Sequence, residues 1–246
     1  MEKIRFGIVG IGMMGRMHAT SLQRNPHAEV VAVCARTESK VKAFQEEFGV
    51  PYGYTNVDEL VNNPEVDAIV VATGADAHKA PCLAACKAKK HIFCEKPLAT
   101  TLEDAKKVVE AEKASGKRLL QIGFMRRFDP DYIKMKKILD SGELGAPLMA
   151  HCISRTRSHP KNHTTEQHIT NIAIHEIDIC RWLLGENLNE VAVRFPRATC
   201  FAEGTCQDPQ LVLMQSDSGV LIDVEVSGNS YYGYEILCEL VCEKGT

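Results

Sequence analysis

The chain predicts an α/β protein in two parts: a doubly wound parallel sheet, then an α+β domain with a mainly antiparallel open sheet. Three observations carry this expectation. Short apolar runs alternate with helical patterns as far as Gly123. A glycine-rich turn, Gly10-Ile11-Gly12-Met13-Met14-Gly15, stands between the first strand and the first helix. Beyond Gly123, strand patterns follow one another with turn signals such as Asp217-Ser218-Gly219 between them.

In order along the chain, the apolar runs at 4–9, 30–35, 68–72, 91–94 and 119–123 have the length of strands buried on both faces. Helical patterns at 15–24, 38–48, 79–89 and 101–115 fill the intervals, which implies right-handed crossovers. Pro26, Gly49-Val50-Pro51, Asn63-Pro64 and Ser115-Gly116 supply the turns. The second part opens with a helix at 131–141 that stops at Gly142, followed by a strand at 148–155. A polar stretch at 156–167 leads into a helix at 170–184 capped by Gly185. Further strands are expected at 190–202, 209–216, 219–227 and 234–242. The predicted domain limits are 1–122 and 123–246. The last residues, Glu243-Lys244-Gly245-Thr246, have the character of a hairpin turn, and a sheet ended there leaves a bare edge, so a C-terminally truncated protein is expected.

Composition narrows the function classes. Apolar residues make up 45% and charged residues 25% of 246, ordinary for a globular protein. A net charge of −3 lacks the basic excess of a nucleic-acid binder. No run reaches the roughly 18 apolar residues that span a bilayer, so no membrane partner is expected. Met1 leads almost directly into the first strand, without a signal-peptide pattern. Most of the ten cysteines lie inside apolar strand or helix patterns, which suits free thiols in a reducing cytoplasm. His78, Cys82 and Cys86 recur at helical spacing, but no fourth ligand is evident and no metal is predicted.

The glycine turn has the strand-to-helix context of a Rossmann dinucleotide site. Gly10 permits the tight turn, Gly12 lets the backbone approach a pyrophosphate, and Gly15 lets helix and strand pack closely. The end of the second strand selects the cofactor. It reads Cys34-Ala35-Arg36-Thr37, with no carboxylate for the ribose hydroxyls of NAD. Arg36 suits the extra phosphate of NADP, so NADP is predicted, with NAD as the alternative. The candidate cofactor residues are Gly10, Ile11, Gly12, Met13, Met14, Gly15, Ala35, Arg36, Thr73, Glu95 and Lys96.

Together the glycine turn, Glu95-Lys96-Pro97-Leu98-Ala99, Gly123-Phe124-Met125-Arg126-Arg127-Phe128 and His175-Glu176-Ile177-Asp178 resemble the glucose–fructose oxidoreductase and inositol dehydrogenase (Gfo/Idh/MocA) family. The last two segments point to its inositol 2-dehydrogenase branch, and the resemblance covers essentially the whole chain. It implies a nicotinamide-dependent dehydrogenase of a cyclic polyol or sugar, forming a homodimer or homotetramer when full length. Oxidation of a secondary alcohol needs a base for the hydroxyl proton and a cation for the developing alkoxide. Lys96, at a strand end, supplies the cation. His175 has a side chain that titrates near neutrality and is the candidate base. Asp178, three residues on, is placed to orient that ring or support its helix.

By resemblance Asn171 joins Lys96 and His175 in the catalytic group and contacts a substrate hydroxyl; the family commonly has aspartate there. Arg127 and Tyr234 match positions near the polyol, and Tyr232 is a weaker candidate. The segment from Arg155 to His159 departs from the branch's substrate pattern, which puts myo-inositol itself in doubt. Phosphate binding by Arg155 and Arg157 is the minor reading there, solvated arginines the major one. Two other readings stay open: an aldose or keto-sugar dehydrogenase of the same family, and a non-catalytic NAD(P)-binding regulatory protein.

Overall fold

A computed structural model describes residues 3–202 and 204–246. Contacts divide the chain into two compact units, Met1–Gly123 and Phe124–Thr246.

In the first unit six parallel strands are ordered β3-β2-β1-β4-β5-β6. They are β1 (Ile4–Val9), β2 (Ala28–Cys34), β3 (Tyr52–Tyr54), β4 (Ala68–Val71), β5 (His91–Cys94) and β6 (Leu120–Ile122). β4 is buried at every position, as a strand covered on both faces must be. The crossovers run through α1 (Met13–Arg24), α2 (Glu38–Phe48), α3 (Val57–Asn62), α4 (Lys79–Lys87) and α5 (Leu102–Ala114). Two of these helices start on side-chain caps: Asn56 accepts from the Asp58 amide and Thr101 from the Asp104 amide. The sequence reading leaves β3 and α3 undrawn. Each is too short for its periodicity to stand out, and β3 is an edge strand with little burial.

The second unit is a five-stranded sheet of order β11-β7-β10-β9-β8. Its strands are β7 (Pro147–Arg155), β8 (Leu188–Arg194), β9 (Gln210–Ser216), β10 (Leu221–Ser227) and β11 (Glu235–Cys242). Three of its pairings are antiparallel and one, β10 with β7, is parallel. Ala150, Cys152, Val212, Met214, Ile222 and Val224 bury one face against α6 (Pro130–Ser141) and α8 (Ile174–Leu184). Asp129 caps α6 through the amides of Asp131 and Tyr132, Pro130 begins it, and Gly142 ends it at φ 69°.

Two expectations need correction. The strand drawn at 190–202 stops at Arg194, because Pro196 has no amide to continue the ladder. The helix drawn at 170–184 begins earlier, at Thr165, and runs as three segments: α7 (Thr165–Gln167), a π-helical stretch (His168–Ala173) and α8. Periodicity alone does not register the wider π turns.

Candidate active site

β1 ends at Val9 and α1 begins at Met13, so three residues turn the chain. Gly10 has φ +100°, and a Cβ there would lie 2.6 Å from the Ala72 carbonyl. A Cβ on Gly15 would stand 2.0 Å from the Gly10 carbonyl oxygen, so α1 closes on the turn only because that residue is glycine. Gly12 differs: nothing lies within 4 Å of a Cβ built there. Its smallness therefore serves no internal packing. Gly12 is also the N-cap of α1; it offers no side chain, and the first turn holds no acid. The amides and the positive end of that helix are left for an anion.

A cleft of about 690 Å³ opens there, at the carboxyl ends of the strands. Gly10, Ile11, Gly12, Met13, Met14, Ala35, Arg36 and Thr73 all line it. Arg36 is exposed, and among the described residues it has no hydrogen-bond or ion-pair partner. A depression of equal volume lies beside Arg5, Asp67 and His91 at the opposite strand ends. It lacks a glycine turn and a helix N-terminus, so the carboxyl-end cleft is the nucleotide candidate.

Gly15, Glu95 and Lys96 are not in the walls of that cleft. Glu95 Oε1 lies 2.7 Å from Nε2 of His18 on α1, which ties the residue before the lysine to the first helix. Lys96 follows β5, half-buried, and its peptide bond to Pro97 is cis. Buried His78 braces this turn. Its Nδ1 is 2.7 Å from the Pro97 carbonyl and its Nε2 is 3.1 Å from the Thr73 carbonyl. Sequence reasoning treated His78 only as an unconvincing metal ligand. Its burial, which only the folded chain reveals, is what requires it to be partnered.

In the second unit His175 is the second residue of α8, and Asn171 belongs to the π-helical stretch just before it; both are half-buried. Glu176 is fully buried and bonded to buried Arg126. Burial pushes the Glu176 carboxyl above its usual range, against the pull of the guanidinium. Asp178 accepts from Arg127 through both carboxylate oxygens, Nε lying 2.8 Å from Oδ2. Asp178 thus supports the helix by holding Arg127.

These two pairs fix α8 to the 3₁₀ turn Met125–Phe128. The Arg126–Glu176 pair was not anticipated. An acid inside the apolar pattern of α8 was the available signal, since a buried charge requires a partner. Tyr234 is 64% exposed. Arg155 is held by Glu225 at 2.6 Å, Glu235 at 2.7 Å and the Tyr232 hydroxyl at 3.0 Å, so its guanidinium nitrogens and the Tyr232 hydroxyl share one network.

Comparison with known proteins extends these observations. Residues 4–124 match the oxidoreductase family described as having an NAD-binding Rossmann fold, and residues 132–246 match the GFO/IDH/MocA C-terminal domain. The chain is 42% identical over 244 residues to the inositol 2-dehydrogenase of Salmonella paratyphi B, covering 98% of itself and 72% of that protein. It is 41% identical over 244 residues to the inositol 2-dehydrogenase/D-chiro-inositol 3-dehydrogenase of Shouchella clausii, covering 98% of itself and 70% of that relative. Among solved structures, the myo-inositol dehydrogenase of Lactobacillus casei in complex with NAD(H) and myo-inositol superimposes with a TM-score of 0.95 at 36% identity, covering 99% of this chain and 73% of that one.

Proposed function

The chain belongs to the Gfo/Idh/MocA oxidoreductase family, and on that premise we propose that it oxidises a secondary alcohol of an inositol-like cyclic polyol, passing hydride to a nicotinamide cofactor. The observation that carries the proposal is the 42% identity, across 98% of the chain, to an inositol 2-dehydrogenase. The uncapped helix behind the glycine turn supports the cofactor half of the reading.

In this mechanism Lys96 stabilises the oxygen as the carbinol hydrogen leaves as hydride, and His175 accepts the hydroxyl proton. Asn171 hydrogen-bonds a substrate hydroxyl without adding charge. Arg127 keeps Nη1 for the polyol while Asp178 holds its other two nitrogens, and Tyr234 contributes its hydroxyl. For the cofactor we retain the preference for NADP over NAD, because Arg36 lies in the cleft wall and no acid stands at the end of β2. The catalyst is a cytoplasmic homo-oligomer, with Met149, Leu213, Leu221 and Leu237 on an exposed sheet face as its contact surface.

Lys96→Ala tests the central claim. Turnover of inositols should fall on the order of 10³-fold, while cofactor binding followed by fluorescence titration is unchanged. Surviving turnover sinks the assignment of Lys96. Total inactivity of the wild-type chain, with intact cofactor binding, favours the regulatory reading instead. Arg36→Ala should lower kcat/KM for NADP by about tenfold and leave NAD nearly unaffected, as loss of one charge-assisted bond predicts. Equal wild-type efficiency with the two cofactors removes the NADP preference.

A further inference from the structure

Outside the residues assigned above, the densest chemistry lies where the polar loop after β7 meets the segment before β9. His159, His168 and Cys206 each present a donor atom, and these atoms all lie within 4.8 Å of one another. It is the sole such group of metal-type ligands among the described residues. His168 and Cys206 are buried and His159 is half-buried. We propose that these three residues form a binding site for a zinc-class transition-metal ion, independent of the redox chemistry.

Two imidazoles and a thiol are the donor set that borderline-soft, tetrahedral metals select. One edge of the group is close to what a metal requires. Nδ1 of His168 lies 3.8 Å from Sγ of Cys206. In a tetrahedral site with Zn–N near 2.0 Å and Zn–S near 2.3 Å, that edge would measure about 3.5 Å. A contraction of a few tenths of an ångström closes that edge, and the remaining separations, within 4.8 Å, close by a larger shift of the rings.

The outer contacts point the same way. Nε2 of His168 is 3.2 Å from Oδ1 of Asp208, a carboxylate with no exposed surface. Asp208 is itself fixed, accepting from the Gly228 amide at 3.0 Å and the Asn229 amide group at 2.9 Å. Nδ1 of His159 is 3.0 Å from the Pro160 carbonyl, which leaves Nε2 as the acceptor, now taking a hydrogen bond from the Asn229 amide group at 2.8 Å that a metal ion would replace. Nδ1 of His168 thus faces the thiol with Asp208 close behind the ring, and Nε2 of His159 would exchange its Asn229 contact for the metal, so that outer partners orient both rings.

Gly228 makes room for both rings. A Cβ there would fall 2.4 Å from Cδ2 of His159 and 3.1 Å from Nε2 of His168. His163 stacks on His159 with ring centroids 4.4 Å apart, and its buried Nε2 has no hydrogen-bond partner among the described residues. His163 or a water fills the fourth position. Because His168 begins the π-helical stretch that carries Asn171, a bound ion would brace the start of that stretch.

The full chain, reduced and stripped of metal, should be titrated with cobalt chloride. One equivalent should bind with intense visible bands of tetrahedral cobalt and a thiolate-to-cobalt charge-transfer band in the near ultraviolet, and zinc chloride should displace it. Cys206→Ser should remove the charge-transfer band, whereas Cys200→Ser, at an exposed thiol, should retain it. Asp208→Asn should weaken cobalt binding by about 10–100-fold. If Cys206→Ser does not fold, His159→Gln reports on the same site through loss of bound cobalt. Wild-type protein that takes up no cobalt, a charge-transfer band that survives Cys206→Ser, or full retention in His159→Gln overturns the proposal.

Discussion

The two units build their candidate sites from different materials. In Met1–Gly123 the site is mostly backbone: a glycine turn, the bare N-terminus of α1 and the ends of strands. In Phe124–Thr246 it is side chains held by other side chains, with Arg126 on Glu176 and Arg127 on Asp178. A backbone site depends on what is absent, namely Cβ atoms and a capping group. A side-chain site depends on partners about fifty positions apart in the chain, so single substitutions should damage the two units in different ways.

The largest effect should come from the second unit. Glu176→Ala leaves the Arg126 guanidinium buried without its partner, which should cost about 3–5 kcal/mol. Calorimetry should show the transition of that unit lowered or lost, while the first unit still binds cofactor. A Tm unchanged by Glu176→Ala would remove the contrast between the units. In the first unit, Gly15→Ala forces a Cβ to 2.0 Å from the Gly10 oxygen and should destabilise by about 1–3 kcal/mol. Gly12→Ala sharpens the comparison: with open space around that Cβ, Tm should stay put while cofactor Kd rises by about tenfold. A falling Tm with unchanged Kd would show that Gly12 serves packing.

The smallest effect concerns acidity. Asn171→Asp introduces a negative charge four residues before His175, which favours the imidazolium. The histidine then holds its proton to higher pH, and the acid limb of the pH–rate profile should move upward by about one unit. An unmoved limb would separate Asn171 from the base.

Much of the first unit was legible because its signals are local. Buried parallel strands are continuous apolar runs, and the roles given to Gly10 and Gly15 are packing roles that a neighbouring residue enforces. Less of the second unit was legible. Pro196 ended β8 early, and the π-helical stretch is hidden in a pattern that reads as one helix. Arg155, offered as a minor phosphate ligand, is held by Glu225 and Glu235, which arrive from other strands.

The sequence by itself determined the alternation of strand and helix, the glycine turn, the missing acid after β2 and the positions of Lys96 and His175, since each is a property of a few consecutive residues. Tertiary structure alone decided that Glu176 is buried on Arg126, that His78 braces the turn after Lys96, and that His159, His168 and Cys206 gather around Gly228. Those pairings join residues far apart in the chain. Burial and charge compensation select the partners, and neither quantity exists until the chain has folded.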